Sequence, residues 1–129
     1  MKQNKLTIQI NEPVYEVFNF TITPMNTKKW IDSILTEETN EWPVKIGSTY
    51  TNQNRQTEIW DEYTVTDYKE FEVFELTSKD KNYHVRYTYK PIKENTTELE
   101  YYEWMDNREL ESPFTIEILE KLKSILEKK

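Results

Sequence analysis

The chain has 129 residues, enough for one hydrophobic core and too few for two, and carries a formal net charge of -7 with a pI near 4.9. That balance argues against a nucleic-acid partner, whose phosphates draw on clustered Lys and Arg, and the absence of Cys excludes disulfides, thiolate metal sites and a cysteine nucleophile. No apolar run reaches membrane-spanning length and no signal-peptide core precedes the first strand pattern, so a soluble cytoplasmic protein with no membrane partner is expected.

Lys5 to Ile10 alternates, with Leu6, Ile8 and Ile10 on one face, which predicts a half-buried strand. Asn11-Glu12-Pro13 then supplies an N-cap and an early proline for a short helix carrying Val14, Val17 and Phe18 and ending near Phe20. Thr23-Pro24 repeats the start signal for a second short helix, Met25 to Asp32, with Trp30 and Ile31 turned inward. From Ser33 to Trp42 the pattern is mixed, a strand through Ile34 and Leu35 and then a polar turn from Glu37 to Glu41. Gly47, the only glycine, precedes a β-favouring stretch and marks a position of positive φ or tight packing.

Thr57 to Tyr68, Phe71 to Thr77, Asn82 to Tyr89 and Thr97 to Met105 then give four strands. They are joined by hairpin turns at Lys69-Glu70, Lys79-Asp80-Lys81 and Lys93-Glu94-Asn95, the pattern of an antiparallel meander. The last helix is predicted with Ser112 as N-cap and Pro113 at its first position. Its apolar stripe holds Phe114, Ile118, Leu122 and Ile125, widened by Leu119 and Leu126. Lys121, Lys123, Lys128 and Lys129, interspersed with Glu120 and Glu127, read as a solvated helix end. Without an internal repeat, low-complexity stretch or long linker, residues 1–129 are expected to form one domain.

Apolar residues make up only 36% of the chain, but aromatics are 14%, and nine Tyr offer rings for a core and hydroxyls for a wet cavity. The order of elements and several local motifs resemble the START-like superfamily, also called SRPBCC, which includes birch-pollen-allergen relatives and polyketide cyclases. Ile8-Gln9-Ile10-Asn11-Glu12-Pro13-Val14-Tyr15-Glu16-Val17-Phe18 resembles its opening strand and helix. Thr23-Pro24 through Trp30-Ile31 is similar to its second helix, Val44 to Tyr50 to the glycine before its third strand, and Ser112 through Lys123 to its closing helix. The resemblance implies an α+β helix-grip fold: a curved antiparallel sheet of six or seven strands wrapped around a long C-terminal helix, enclosing a cavity that in many members takes an apolar ligand. The glycine-rich loop of the pollen-allergen branch is missing around Gly47, which leaves no basis for an anion-binding role there.

Strand alternation places Tyr83, Val85, Tyr87 and Tyr89 on one face, and His84, Arg86 and Thr88 on the other. The same parity turns Leu99, Tyr101, Glu103 and Met105 inward, and Ile59, Asp61, Tyr63 and Val65 with them, provided no bulge intervenes. Glu103 and Asp61 are the only carboxylates among these apolar neighbours and the only catalytic candidates. A structural role takes precedence for both: Glu103 at a wet cavity mouth or paired with Arg86 or Arg108, Asp61 turned outward by a bulge. His84, the only histidine, belongs to the polar face. Asp32, Glu37, Glu38 and Glu41 read as solvated acidic surface, Trp30 as core, and Trp60 and Trp104 as a possible partner surface.

Three functions follow. The first is binding of a small apolar or amphipathic molecule by Tyr63, Tyr87, Tyr101 and Glu103 on the sheet and Phe114 and Ile118 on the helix, with no cofactor and no metal. The second is a cyclase or hydratase using Glu103 or Asp61 as proton carrier and a Tyr as hydrogen-bond donor. The third is a non-catalytic module resembling chaperone regulators. The oligomeric state is left open.

Overall fold

The alternation at the N-terminus becomes β1 (Gln3–Ile10), which turns Asn4, Leu6, Ile8 and Ile10 inward. The computed structural model describes residues 1–128, so Lys129 of the predicted helix end lies outside the described residues. Helix α1 (Val14–Ile22) starts directly after Pro13, whose extended backbone forms the N-cap without a side-chain bond. Asn11 therefore does not cap it, and the helix runs two residues past the expected end at Phe20 to bury Thr21 and Ile22 beside Val17 and Phe18. Thr23, with φ -80° and ψ 118°, breaks the chain, and Pro24 opens α2 (Pro24–Trp30). The Thr23 hydroxyl donates back to the Asn19 carbonyl at 2.5 Å instead of capping α2.

Six strands follow: β2 (Ile34–Thr39), β3 (Thr49–Asn54), β4 (Trp60–Lys69), β5 (Val73–Ser78), β6 (Tyr83–Lys93) and β7 (Thr96–Met105). With β1 they form one antiparallel sheet of seven strands in the order β1-β7-β6-β5-β4-β3-β2, curled into a half-barrel. Register shifts at Ile34/Thr36, Val65/Asp67 and Pro91/Lys93 mark irregularities in its ladders, and such bulges bend and twist a sheet. The shift after Val65 also reverses the parity of β4, so Val65 and Tyr68 both reach the core although they are three residues apart. Gly47 takes φ 97°, and a Cβ there would meet nothing within 4 Å, so backbone conformation rather than packing calls for glycine.

Two expected boundaries move. Thr57, Glu58 and Ile59 precede β4, and Ile59 is 60% exposed, outside the inward set. Phe71 lies in the β4–β5 turn with φ 66°, a left-handed conformation costly for an aromatic residue, and its ring packs edge-on to Phe18 at 5.5 Å. The closing helix differs most. It is α3 (Ile116–Glu127), with Thr115 rather than Ser112 at the N-cap, and Phe114 precedes it. Its buried line is Leu119, Leu122 and Leu126, with Ile118 and Ile125 on the flanks, and it packs against β1 and α2. Lys121 and Lys128 are exposed, as expected of a solvated end, while Lys121 also pairs with Asp32 and Lys123 donates to the Gln9 carbonyl and to Glu127.

Candidate functional site

Side chains on β6 and β7 point inward in alternation, so Tyr83, Val85, Tyr87 and Tyr89 face the same interior as Leu99, Tyr101 and Glu103. Glu103 is 1% exposed, and a carboxylate removed from water must find donors. It finds three. The Tyr83 hydroxyl donates to Oε1 at 2.6 Å, while Asn4 Nδ2 at 2.9 Å and the Phe114 backbone N–H at 2.7 Å donate to Oε2. Asn4 Nδ2 also donates to the Phe114 carbonyl at 2.9 Å.

This clasp explains the late start of α3. Both polar groups of the Phe114 backbone are bound across the fold to Glu103 and Asn4, so its N–H and C=O serve tertiary contacts rather than a helix turn. Its ring stacks on Tyr101 at 4.1 Å and meets Trp30 edge-on at 6.1 Å. The expected partners of Glu103 are engaged elsewhere, Arg86 with Asp67 and Glu75, and Arg108 with Asp80.

Beside the clasp is a cavity of about 790 Å³. Trp30, Tyr50, Tyr63, Phe74, Tyr83, Tyr87, Tyr101 and Phe114 supply its aromatic walls, and Asp61, Lys79, Asp80 and Arg108 lie near its exposed rim. Of the expected ligand contacts, Tyr63, Tyr87, Tyr101, Glu103 and Phe114 line this space, and Ile118 does not. Ile118 lies on the flank of α3 and packs against the core cluster. Asp61 is exposed at the rim, beside Trp60, which is 47% exposed and also borders the cavity. Trp104 lies on the outer face between His84 and Tyr102, stacked at 4.7 and 4.9 Å. His84 stays on the polar side, its Nε2 2.8 Å from Asp106 and its Nδ1 3.0 Å from Thr77.

Glu37 is the residue that sequence reading placed wrongly. It belongs to β2, opposite Asn52 of β3, and enters the cavity half-buried rather than joining the acidic surface. Thr27 Oγ1 of α2 donates to it at 2.6 Å and Asn52 Nδ2 at 3.3 Å. Burial lifts its pKa from the ordinary carboxylate value to about 7, against these two hydrogen bonds, which favour the ionised form. The only sequence signal for its direction was two-residue periodicity in Ile34 to Thr39, which mixed Thr and Glu obscure.

The cavity hydroxyls are held in the neutral state. Burial, and next the Asp61 carboxylate, push Tyr63 up to about 12, and burial followed by the charge on Glu103 raises Tyr83 further. Among the described residues, neither Tyr63 nor Tyr87 makes a hydrogen bond from its hydroxyl. Trp30, 1% exposed, has a buried Nε1 donor without a partner among the described residues. Among the described residues no group of three or more His, Asp or Glu is placed to hold a metal ion, and no helix is long and apolar enough to cross a membrane.

No protein-family model matches the chain, and no curated protein matches it in sequence. Solved structures do. A START superfamily protein from Mycobacterium smegmatis superposes with a TM-score of 0.75 at 12% identity, over 99% of this chain and 99% of its own. The Aha1 dimer from Colwellia psychrerythraea gives a TM-score of 0.70 at 17% identity, covering 98% of this chain and 97% of that one. A polyketide-cyclase-like protein from Corynebacterium glutamicum gives 0.63 at 17%, over 82% of this chain and 66% of its own. At such identities the likeness is one of fold, and the fold is START-like.

Proposed function

We propose that this protein binds a small amphipathic molecule in the cavity beside the Glu103 clasp. The observation that carries the reading is the cavity itself: about 790 Å³, walled by aromatic rings, with the Tyr63 and Tyr87 hydroxyls lacking partners among the described residues. Such a space falls within the range of small-molecule sites, and apolar walls with a few fixed polar groups both desolvate and orient a ligand. Glu103 supports the reading as a positioning residue. With both oxygens taken by Asn4, Tyr83 and Phe114, it fixes the Phe114 ring against Tyr101 as one wall.

Native mass spectrometry of the purified protein tests this. A bound species of small-molecule mass is expected, lost in Tyr87→Ala and in a cavity-filling Val85→Phe variant that keeps the native circular dichroism. Retention in both folded variants would place the species elsewhere and end the proposal.

A further inference from the structure

The cavity holds two interior carboxylates, Glu37 and Glu103, and among the described residues neither forms an ion pair. Among the described residues the basic side chains on its lining are Lys79 and Arg108, and Arg108 is held by Asp80 at 3.3 Å. Glu103 has three donors, with both oxygens engaged. Glu37 has two, one of them long at 3.3 Å, and retains surface facing the cavity. Tyr50, Tyr63 and Tyr87 line the same cavity and lie close enough to feel the Glu37 charge, and the π faces of such rings carry partial negative charge.

From this arrangement we infer that the ligand carries a positive charge, an ammonium or amidinium group that pairs with Glu37 among the cavity aromatics, and that carboxylate-bearing amphiphiles are rejected. The inference rests on the proposed use of the cavity as a binding site and adds the ligand's charge. A fatty-acid-like carboxylate entering head first would meet two carboxylates and no interior Lys or Arg to offset them. Its apolar end would fit equally well, so charge rather than shape is the discriminating property. A cation reverses the balance, because it offsets the desolvation of Glu37 and is attracted to the aromatic faces.

The pH dependence follows. Burial sets the Glu37 carboxyl at about 7 in the unliganded protein, and the titratable groups that feel its charge, Tyr50, Tyr63 and Tyr87, are all shifted upward and stay neutral between pH 6 and 8. Its hydrogen-bonding neighbours Thr27 and Asn52 do not titrate. A permanent cation therefore binds the ionised form preferentially, and its affinity falls as pH drops below about 7.

The test uses the full chain and three probes of matched size: phenylbutyl-trimethylammonium, its uncharged all-carbon isostere, and phenylpentanoate. Affinities are read by calorimetry and tryptophan fluorescence. The ammonium probe is expected to bind about tenfold more tightly than the isostere, with phenylpentanoate the weakest, consistent with one cation–π and ion-pair contact. Glu37→Gln should reduce that preference to the part the aromatic rings supply. In the wild type, which needs no folded variant, ammonium affinity should drop several-fold from pH 8 to pH 6 while isostere affinity stays level. Equal binding of ammonium and isostere, or a preference undiminished by both Glu37→Gln and acidification, overturns pairing with Glu37 and leaves cavity binding standing. Failure of all three probes to bind overturns both.

Discussion

The two ends of the sheet interior are built from the same residue types and packed differently. Beneath α1, Phe18 meets Tyr68, Phe71 and Tyr89 edge-on with centroids 5.0 to 5.8 Å away, and the Tyr89 hydroxyl lies 2.7 Å from Thr21 Oγ1. Nearby, the Tyr50 hydroxyl donates to the Ile22 carbonyl at the end of α1 at 2.6 Å. Phe18 is enclosed by rings there, the Tyr89 hydroxyl is met by Thr21 and the Tyr50 hydroxyl by a backbone carbonyl, and Tyr50 stands at the boundary with the cavity. Towards Phe114, in contrast, Trp30, Tyr63, Tyr83, Tyr87 and Tyr101 border open volume, and one buried glutamate holds the wall in place. Aromatic content alone thus does not separate a core from a pocket; where each hydroxyl finds its partner does.

The largest expected effect breaks the filled end. Phe18→Ala removes a fully buried ring from four-way aromatic packing and should cost about 3–5 kcal/mol in urea unfolding, the usual range for a sealed cavity. Phe114→Ala deletes a ring of the same size that already borders the cavity, so no new sealed void forms, and a loss of about 2 kcal/mol or less is expected. Equal losses at the two sites would mean that the hollow end is as tightly packed as the other.

Next in size is the clasp. Glu103→Gln can keep an oxygen on the Asn4 and Phe114 donors only by turning its amide to Tyr83, whose hydroxyl must then accept instead of donate, so three charge-assisted bonds become neutral ones, at a cost of about 1–3 kcal/mol. The same variant should loosen the segment before α3, seen as faster amide exchange at Phe114 than at Leu119. Unchanged exchange at Phe114 would remove Glu103 as its anchor.

Glu37 gives a smaller effect of opposite sign. Its folded pKa of about 7 lies above the model-peptide value of 4.5, so between these values the folded state holds a proton that the unfolded chain has released. Stability contributed by the neutral form is present below about pH 4.5 and is lost as pH rises through 7. Glu37→Gln should therefore flatten the decline between pH 5 and 8 and raise stability at pH 8 by on the order of 1–2 kcal/mol. A wild-type profile that rises across this interval would show that Glu37 is ionised at its ordinary value.

Much of this contrast was written in local pattern, and the rest in pairing. The inward sets on β6 and β7, from Tyr83 through Tyr89 and from Leu99 through Glu103, followed from alternation because those strands are long and regular through these stretches. Tyr68 escaped because the shift after Val65 reverses parity, and Asn4 because it precedes the first clear alternation. Glu37 escaped because its strand lies at the sheet edge, where composition is polar and pairing with Asn52 decides which way it points. Ser112-Pro113 has the chemistry of a helix start, yet the bonds from Phe114 to Glu103 and Asn4 override it, and local propensity yields to tertiary contact.

The finest form of the comparison removes a single hydroxyl from each end. Tyr89→Phe deletes the partner of Thr21 Oγ1 in a buried setting; Thr21 keeps its bonds to the Val17 and Phe18 carbonyls, so the loss is that of one neutral hydrogen bond, about 1 kcal/mol. Tyr63→Phe deletes a hydroxyl with no partner among the described residues, and stability should change by less than about 0.5 kcal/mol. Ligand affinity should respond in the reverse order, falling for Tyr63→Phe and holding for Tyr89→Phe, because only Tyr63 borders the cavity. Paired urea titrations and binding curves read both quantities. If Tyr63→Phe costs as much stability as Tyr89→Phe, its hydroxyl has a structural partner, and the division between a filled and a hollow end fails at that residue.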